Sequence, residues 1–193
     1  TCALPICSRI SGSRESVDAA LHQQILGFPK FGNAVASVDT LGSTLIDFVF
    51  SEILAHRCWR GNGPFMPGTI LFTTYADLGR GIPATPDGRR AQEPIADSVG
   101  PMQGTDLSGP TAMLLSSSLI PQAKGLGTLV LNLRLNASYL KTPENRDRIR
   151  DLIRGYFNLG GLQIQVTVND QARLQEAFDH PEQHPNLIIR IGG

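Results

Sequence analysis

The sequence predicts an α/β fold, and three observations carry that expectation. Leu162-Gln-Ile-Gln-Val-Thr-Val168 alternates apolar and polar residues strictly, Thr128 to Leu135 is a second strand-like run, and Pro143 to Phe157 between them is an amphipathic helix. Strands alternating with helices at this spacing point to helices packed on a sheet.

The elements follow in order. Val17, Ala20, Leu21, Ile25 and Leu26 recur at helical spacing and predict a helix over Ser13–Leu26, which Phe28-Pro29-Lys30-Phe31-Gly32-Asn33 then breaks. A second helix is expected from Asp39 to Cys58, with Leu41, Leu45, Phe48, Val49 and Ile53 on its buried side and Gly42 weakening it slightly. Thr69 to Tyr75 is β-branched and aromatic, bounded by Pro67-Gly68 and Asp77, and reads as a strand. Gly79 to Pro110 holds too many glycines and prolines for an ordinary helix or central strand. Long irregular stretches inside compact domains tend to be functional or to pack as ordered coil. Thr111 to Leu119 reads as a short helix. Pro143 opens the next one, whose wet side carries Glu144, Arg146, Asp147, Arg148, Arg150 and Asp151. Asn169-Asp170 supplies the cap for a helix from Gln171 to Asp179, and the chain closes on the apolar run Leu187-Ile188-Ile189-Arg190-Ile191 before Gly192-Gly193.

Composition narrows the function classes. The 193 residues include 17 Lys and Arg against 17 Asp and Glu, so the neutral chain lacks the electrostatic footprint of a nucleic-acid or anionic-membrane binder. With 41% hydrophobic residues it is not disordered, and no apolar stretch approaches the roughly 20 residues that span a bilayer. A soluble globular chain is expected, with both ends cut. Thr1-Cys2-Ala3-Leu4-Pro5-Ile6 matches the translation of a sequencing adapter whose last base fits the Cys7 codon, so residues 1–7 are expected to be non-native. Cys58 is then the only secure cysteine, which excludes a disulfide scaffold and fits a reducing, cytoplasmic compartment.

Several familiar chemistries find no support. Gly125-Leu-Gly127 precedes a strand, whereas a dinucleotide fingerprint follows one and opens a helix. His180 and His184 stand four apart, but Pro181 and Pro185 interrupt any helix that would present both to a metal, and no metal site is expected. Ser116-Ser117-Ser118 has no nearby base and no Gly-x-Ser-x-Gly frame. The opposite charges between Asp87 and Glu93 are read as salt-bridged anchoring of the loop in preference to acid/base catalysis.

The breaker-rich stretch carries a resemblance. Ala84-Thr-Pro-Asp-Gly-Arg-Arg-Ala91, Glu93-Pro-Ile-Ala-Asp97, Gly104-Thr-Asp106 and Gly109-Pro-Thr-Ala112 resemble the signature loop of the glycyl radical enzymes, the family that includes pyruvate formate-lyase. Pro29-Lys-Phe-Gly-Asn33 is similar to the family's Pro-Lys-Tyr-Gly-Asn segment. Tyr156-Phe-Asn-Leu-Gly-Gly161 with Gln163, Gln165 and Asn169-Asp170 is similar to its Gly-Gly-x-Gln-x-Gln strand. His180-Pro-Glu182 and Arg190-Ile-Gly-Gly193 resemble the approach to the radical glycine, so the likeness runs in order from Ser13 to Gly193.

This resemblance implies the C-terminal part of a ten-stranded α/β barrel, with residues 8–169 in the barrel domain and 170–193 in a truncated glycyl radical domain. It places a stored backbone radical on Gly193, and it makes Thr85, Pro86, Asp87, Gly88, Arg89, Gly109, Pro110, Thr111, Gln163, Gln165, Asn169 and Arg190 structural signature residues. Glycine suits a Cα radical because, without a Cβ, the centre can flatten and the chain can turn tightly. The implied mechanism relays that radical through a cysteine thiyl to a small substrate. Cys58 lacks the family's Gly-Cys setting, so the relay cysteine is expected outside this chain, and the fragment alone is expected to be inactive. The radical is installed by a separate activating enzyme with an iron–sulfur cluster and S-adenosylmethionine, for which this chain has no Cys-x-x-x-Cys-x-x-Cys ligand set. No cofactor bound to the chain itself is implied, and a homodimer is implied for the full-length protein. Gly109-Pro-Thr-Ala112 is closer to the dehydratase and lyase branches than to formate acetyltransferase proper, expected to read Gly-Ala-Val-Ala. A short spare-part protein that supplies only the glycyl loop is the rival expectation, and the reach of the resemblance back to Ser13 counts against it. Which residues bind substrate is left open.

Overall fold

A computed structural model of the chain describes residues 16–71 and 74–184. Six α-helices and two strands follow one another as α1 (Ser16–Leu26), α2 (Ala36–Ala55), α3 (Thr74–Arg80), α4 (Gly109–Ser118), β1 (Asn132–Asn136), α5 (Pro143–Asn158), β2 (Gln165–Asn169) and α6 (Gln171–Asp179), with short 3-10 turns at Gln122–Lys124, Ala137–Lys141 and Pro181–Gln183. β1 and β2 pair in parallel, Asn132 facing Gln165 and Asn136 facing Asn169. A parallel pair needs a crossover, and α5 is that crossover. Thr69 adds a third segment alongside by a parallel bridge to Leu129.

The local causes are legible. Thr142 caps α5 by accepting from the Asn145 N–H at 3.3 Å, and Pro143 fills the first helical position, where its missing donor costs nothing. Ile149, Leu152, Ile153 and Tyr156 then recur at one helical face and turn toward the sheet. Asp170 caps α6 by accepting from the N–H groups of Ala172 and Arg173. At the end of α1, the Lys30 ammonium donates to the Ile25 carbonyl at 3.0 Å, where the helix dipole favours a cation. The core centres on Leu129, Val130 and Leu131, which are fully enclosed, with Leu133, Leu135, Met113, Leu114, Val99 and Phe50 around them.

Three expectations need correction. Thr69 to Tyr75 is not a continuous strand: among its described residues only Thr69 bridges to a neighbour, and α3 begins at Thr74, because Tyr75 is buried in the core from a helical backbone. Regular pairing in the two other strands starts later than expected. Thr128 has φ +98°, which breaks extended geometry, and Leu162 and Leu131 bond their N–H groups to the side chains of Gln122 and Gln163 instead of a strand ladder. Most of the predicted buried side of α2 is exposed, Ile53 alone of it being half-buried. Leu41, Leu45 and Phe48 are 70%, 59% and 62% exposed, while Asp39 and Phe50 are the buried positions of that helix. α2 also starts three residues before Asp39, and it stops at Ala55, short of Cys58, because His56 to Phe65 folds into a hairpin closed by the Arg57–Pro64 bridge.

Tyr156 and Gly161 give the fold two measurable signatures. A Cβ at Gly161 would lie 2.2 Å from the enclosed Tyr156 ring, whereas one at Gly155, in α5, would meet open space. Gly161→Ala is expected to lower the unfolding free energy by about 1–3 kcal/mol, and Gly155→Ala to raise it by about 0.5–1 kcal/mol, in denaturant titrations of the two variants. Burial pushes the Tyr156 hydroxyl up to about 12, with the nearby Gln122 amide opposing slightly but not meeting hydrogen-bond geometry. The folded state therefore holds this proton more tightly than the unfolded chain, so stability is unaffected below about pH 10 and falls as pH rises from 10 toward 12. Tyr156→Phe is expected to remove that part of the alkaline decline, seen as a shallower fall of the unfolding midpoint above pH 10.

Candidate functional site

The stretch between α3 and α4 has no regular structure, yet most of its turns are tied. Thr85-Pro-Asp-Gly88 forms a turn closed by the Gly88 N–H on the Thr85 carbonyl at 3.2 Å. Gly88 has φ +111°, which favours glycine, and a Cβ there would also press on the Leu26 side chain at 2.8 Å. The next residue organises the loop. The Arg89 guanidinium, 4% exposed, donates to the carbonyls of Arg90 (3.1 Å), Glu93 (2.7 Å), Ile82 (3.3 Å) and Pro83 (2.5 Å). Four backbone dipoles thus replace a carboxylate as its solvation, in a fork geometry that a lysine cannot reproduce. Asp87, Arg89, Arg90 and Glu93 form no ion pair with one another among the described residues, so the anchoring expected from their charges runs through the backbone instead. Glu93 contributes by accepting from the Arg90 N–H at 2.9 Å.

The second half of the stretch is held by the Pro29–Asn33 segment. The Asn33 amide donates to the carbonyls of Lys30 (3.1 Å) and Thr105 (2.7 Å), and its oxygen accepts from the Ser108 N–H at 2.9 Å. Gly32, at φ +95°, lies so close to Pro101 that a Cβ would stand 2.6 Å from its ring. One residue on, the Ala34 N–H donates to the Ser116 hydroxyl at 3.0 Å, which donates in turn to the buried Asp39 carboxylate at 2.9 Å. Two motifs more than 70 positions apart in sequence are thereby one structural unit.

Asp97 and Ser98 join this unit to the sheet. Asp97, 1% exposed, accepts from the Asn132 amide at 2.5 Å, and the Val99 N–H donates to the Val130 carbonyl at 3.2 Å. The Ser98 hydroxyl bonds the Thr69 carbonyl. Burial raises the Tyr75 hydroxyl above its ordinary value, with Arg134 opposing and Asp97 reinforcing the shift. Asp97, Asp106, Gly109, Pro110, Asn132 and Arg134 line a small cavity of ≈ 100 Å³ at the start of α4. Gly109 opens that helix at φ +83°, with Pro110 next and Thr111 at the edge of a wider cleft beside β1 and α5.

The glutamines of the strand motif also serve the sheet. The Gln163 oxygen accepts from the Leu131 N–H at 3.1 Å, and the Gln165 N–H donates to the Leu131 carbonyl at 2.7 Å. Asn169 ends β2 opposite Asn136. Arg190, Gly193 and the apolar run Leu187–Ile191 lie outside the described residues. Cys58 sits in the hairpin after α2, far along the chain from any of these contacts, as a free, partly exposed thiol. His180 and His184 lie 3.7 and 3.9 Å from the carboxylates of Glu182 and Glu176, and among the described residues no group of three His, Cys, Asp or Glu side chains is placed to hold a metal. Sequence reasoning missed the Asp97–Asn132 and Asp39–Ser116 pairs. Neither residue type nor spacing marks a partner that lies 35 or 77 positions away.

The class is that of a crossover α/β unit with an ordered, glycine-rich loop docked on the strand ends. A family model described as "Glycine radical" matches residues 95–193, about half of the chain, and the chain belongs to that family. It is 33% identical over 190 residues to the probable dehydratase YbiW of Escherichia coli, covering 93% of this chain and 24% of that protein. It is 30% identical over 179 residues to the trans-4-hydroxy-L-proline dehydratase of Clostridioides difficile, covering 93% and 22%. Among solved structures, the glycerol-bound B12-independent glycerol dehydratase of Clostridium butyricum matches with a TM-score of 0.83 and 31% identity, over 91% of this chain and 22% of that one. The chain thus spans about a quarter of the length of the curated relatives it matches.

Arg89 is the point at which the loop can be tested. Arg89→Met leaves the Pro83 and Glu93 carbonyls without a donor and takes a second donor from those of Arg90 and Ile82, which keep the Glu93 and Gln92 N–H groups, and is expected to cost about 2–4 kcal/mol of unfolding free energy and to speed limited proteolysis between Ile82 and Pro94. Arg89→Lys should recover only part of the loss.

Proposed function

We propose that this chain is the C-terminal part of a glycyl radical enzyme of the dehydratase or lyase branch, and that Gly193 is its radical residue. The observation that carries the reading is the match of residues 95–193 to the glycine radical family, with Arg190-Ile-Gly-Gly193 inside it. The branch is supported by Gly109-Pro-Thr-Ala112 and by relatives named as dehydratases. In the whole protein, the Gly193 radical takes a hydrogen atom from a cysteine thiol supplied outside this chain. The resulting thiyl takes one from a small substrate, and returns it after C–O, C–C or C–N cleavage. Glycine is restored as the thiyl forms, so the stored radical is regenerated when the cysteine takes the hydrogen back.

The remaining assignments follow from that reading. Residues 8–169 complete a ten-stranded barrel with upstream strands, and 170–193 carry the radical loop. Thr85, Pro86, Asp87, Gly88 and Arg89 build the first half of the docked loop, and Gly109, Pro110 and Thr111 start the helix that ends it. Gln163, Gln165 and Asn169 set the last strand, and Arg190 precedes the radical site. Water exclusion around the radical is a role this ordered loop is suited to, since removing solvent protects reactive intermediates. An activating enzyme with an iron–sulfur cluster and S-adenosylmethionine generates the radical, and the assembled protein works as a cytoplasmic homodimer under anaerobic conditions.

The test is spectroscopic. Anaerobic activation of the full-length protein is expected to give a doublet in electron paramagnetic resonance, from coupling to the one hydrogen left on the Gly193 Cα. Gly193→Ala is expected to abolish both the doublet and turnover of a 1,2-diol or hydroxyproline panel. A doublet that survives the substitution overturns the assignment.

A further inference from the structure

The face of α2 that turns away from the core is apolar where a solvent face is polar. Leu41, Leu45 and Phe48 stand at i, i+4 and i+7 and are 70%, 59% and 62% exposed. Beside them a groove of ≈ 360 Å³ runs between α2 and the Ser98–Gly100 segment, lined by Phe31, Leu41, Leu45, Ile46, Val99 and Ile120. Contiguous apolar surface of this kind marks an interaction site, and i, i+4, i+7 spacing is the seam that one helix offers another.

Three occupants differ in chemistry. A lipid surface is recognised by helices with Lys or Arg along their polar face, and α2 contains neither, carrying only Asp39, Asp47 and Glu52 as charges. A second copy would set two such helices face to face with Glu52 on each and no base on either helix to match it. The third occupant is the rest of the polypeptide. Relatives are about four times the length of this chain, and the described sheet has two strands where independent stability asks for more.

We propose that Leu41, Leu45 and Phe48, with the adjoining groove, seat an amphipathic helix from the part of the full-length protein outside this chain, one whose apolar stripe is flanked by Lys or Arg facing Glu52. Asp47 is already matched within the chain by the Lys124 ammonium at 2.6 Å, which leaves Glu52 as the acid that a partner's cation would face. The proposal rests on the reading of this chain as part of a larger glycyl radical enzyme, and deepens it by assigning the contact that joins the two parts.

The experiment places a photo-crosslinking p-benzoylphenylalanine at Leu45 in the full-length protein, with the aromatic-for-aromatic replacement of Phe48 as a second variant in case the first fails to fold. Peptide mapping after irradiation is expected to show an intramolecular crosslink to a segment absent from residues 1–193, helical in spacing and bearing Lys or Arg. A crosslink between two protomers, capture by lipid, or no protein adduct from either well-folded variant overturns the proposal. The paramagnetic doublet is recorded on the same samples. A doublet without the intramolecular crosslink sinks this contact and leaves the radical reading intact, and a crosslink with no doublet does the reverse.

Discussion

Buried backbone groups must find partners, and the structure is organised around how Val130 and Leu131 find theirs. Leu129, Val130 and Leu131 are fully enclosed, so their N–H and carbonyl groups have no access to water. The partners of Val130 and Leu131 come from distant parts of the chain: Thr69 receives the Val130 N–H, Val99 donates to the Val130 carbonyl, and Gln163 and Gln165 take up the two groups of Leu131. The short segment just before β1 therefore draws together the stretch before α3, the glycine-rich loop and the last strand. Displacing it would leave each of those without its register.

The loop shows the same constraint solved by side chains. A 30-residue stretch crowded with glycine and proline cannot satisfy itself by ladder or helix bonds. Arg89 collects four carbonyls, Asn33 holds one N–H and two carbonyls, and Asp97 reaches across to Asn132. Order in this loop is consequently specific to a few residues, which is why its sequence is recognisable where ordinary loops are not. The same residues place the start of α4 and the small cavity beside Arg134, next to the ends of the strands.

Much of the fold was legible locally. The βαβ order, the caps of α5 and α6, and the breaker-rich character of the loop follow from hydrophobic period, Thr142, Asp170 and the prolines, all of which act over a few residues. The site was legible only as a set of motifs. That Pro29–Asn33 and Gly104–Pro110 form one unit rests on hydrogen bonds spanning 72 and 75 positions, and no spacing rule encodes them. Tyr75 was misread for a related reason: β-branched and aromatic neighbours favour a strand, but the burial of its ring from a helical turn outweighed that preference.

The sequence by itself determined that this is an α/β chain, most of the elements it contains and which family it belongs to, because periodicity, capping and turn residues are local properties and motif order survives without coordinates. Only the tertiary structure decided which way α2 faces. Its stripe of Leu41, Leu45 and Phe48 announces a buried surface, yet the described core takes Asp39, Ile46 and Phe50 instead. An amphipathic pattern states that a face is to be covered and is silent about by what, since the hydrophobic effect is non-directional.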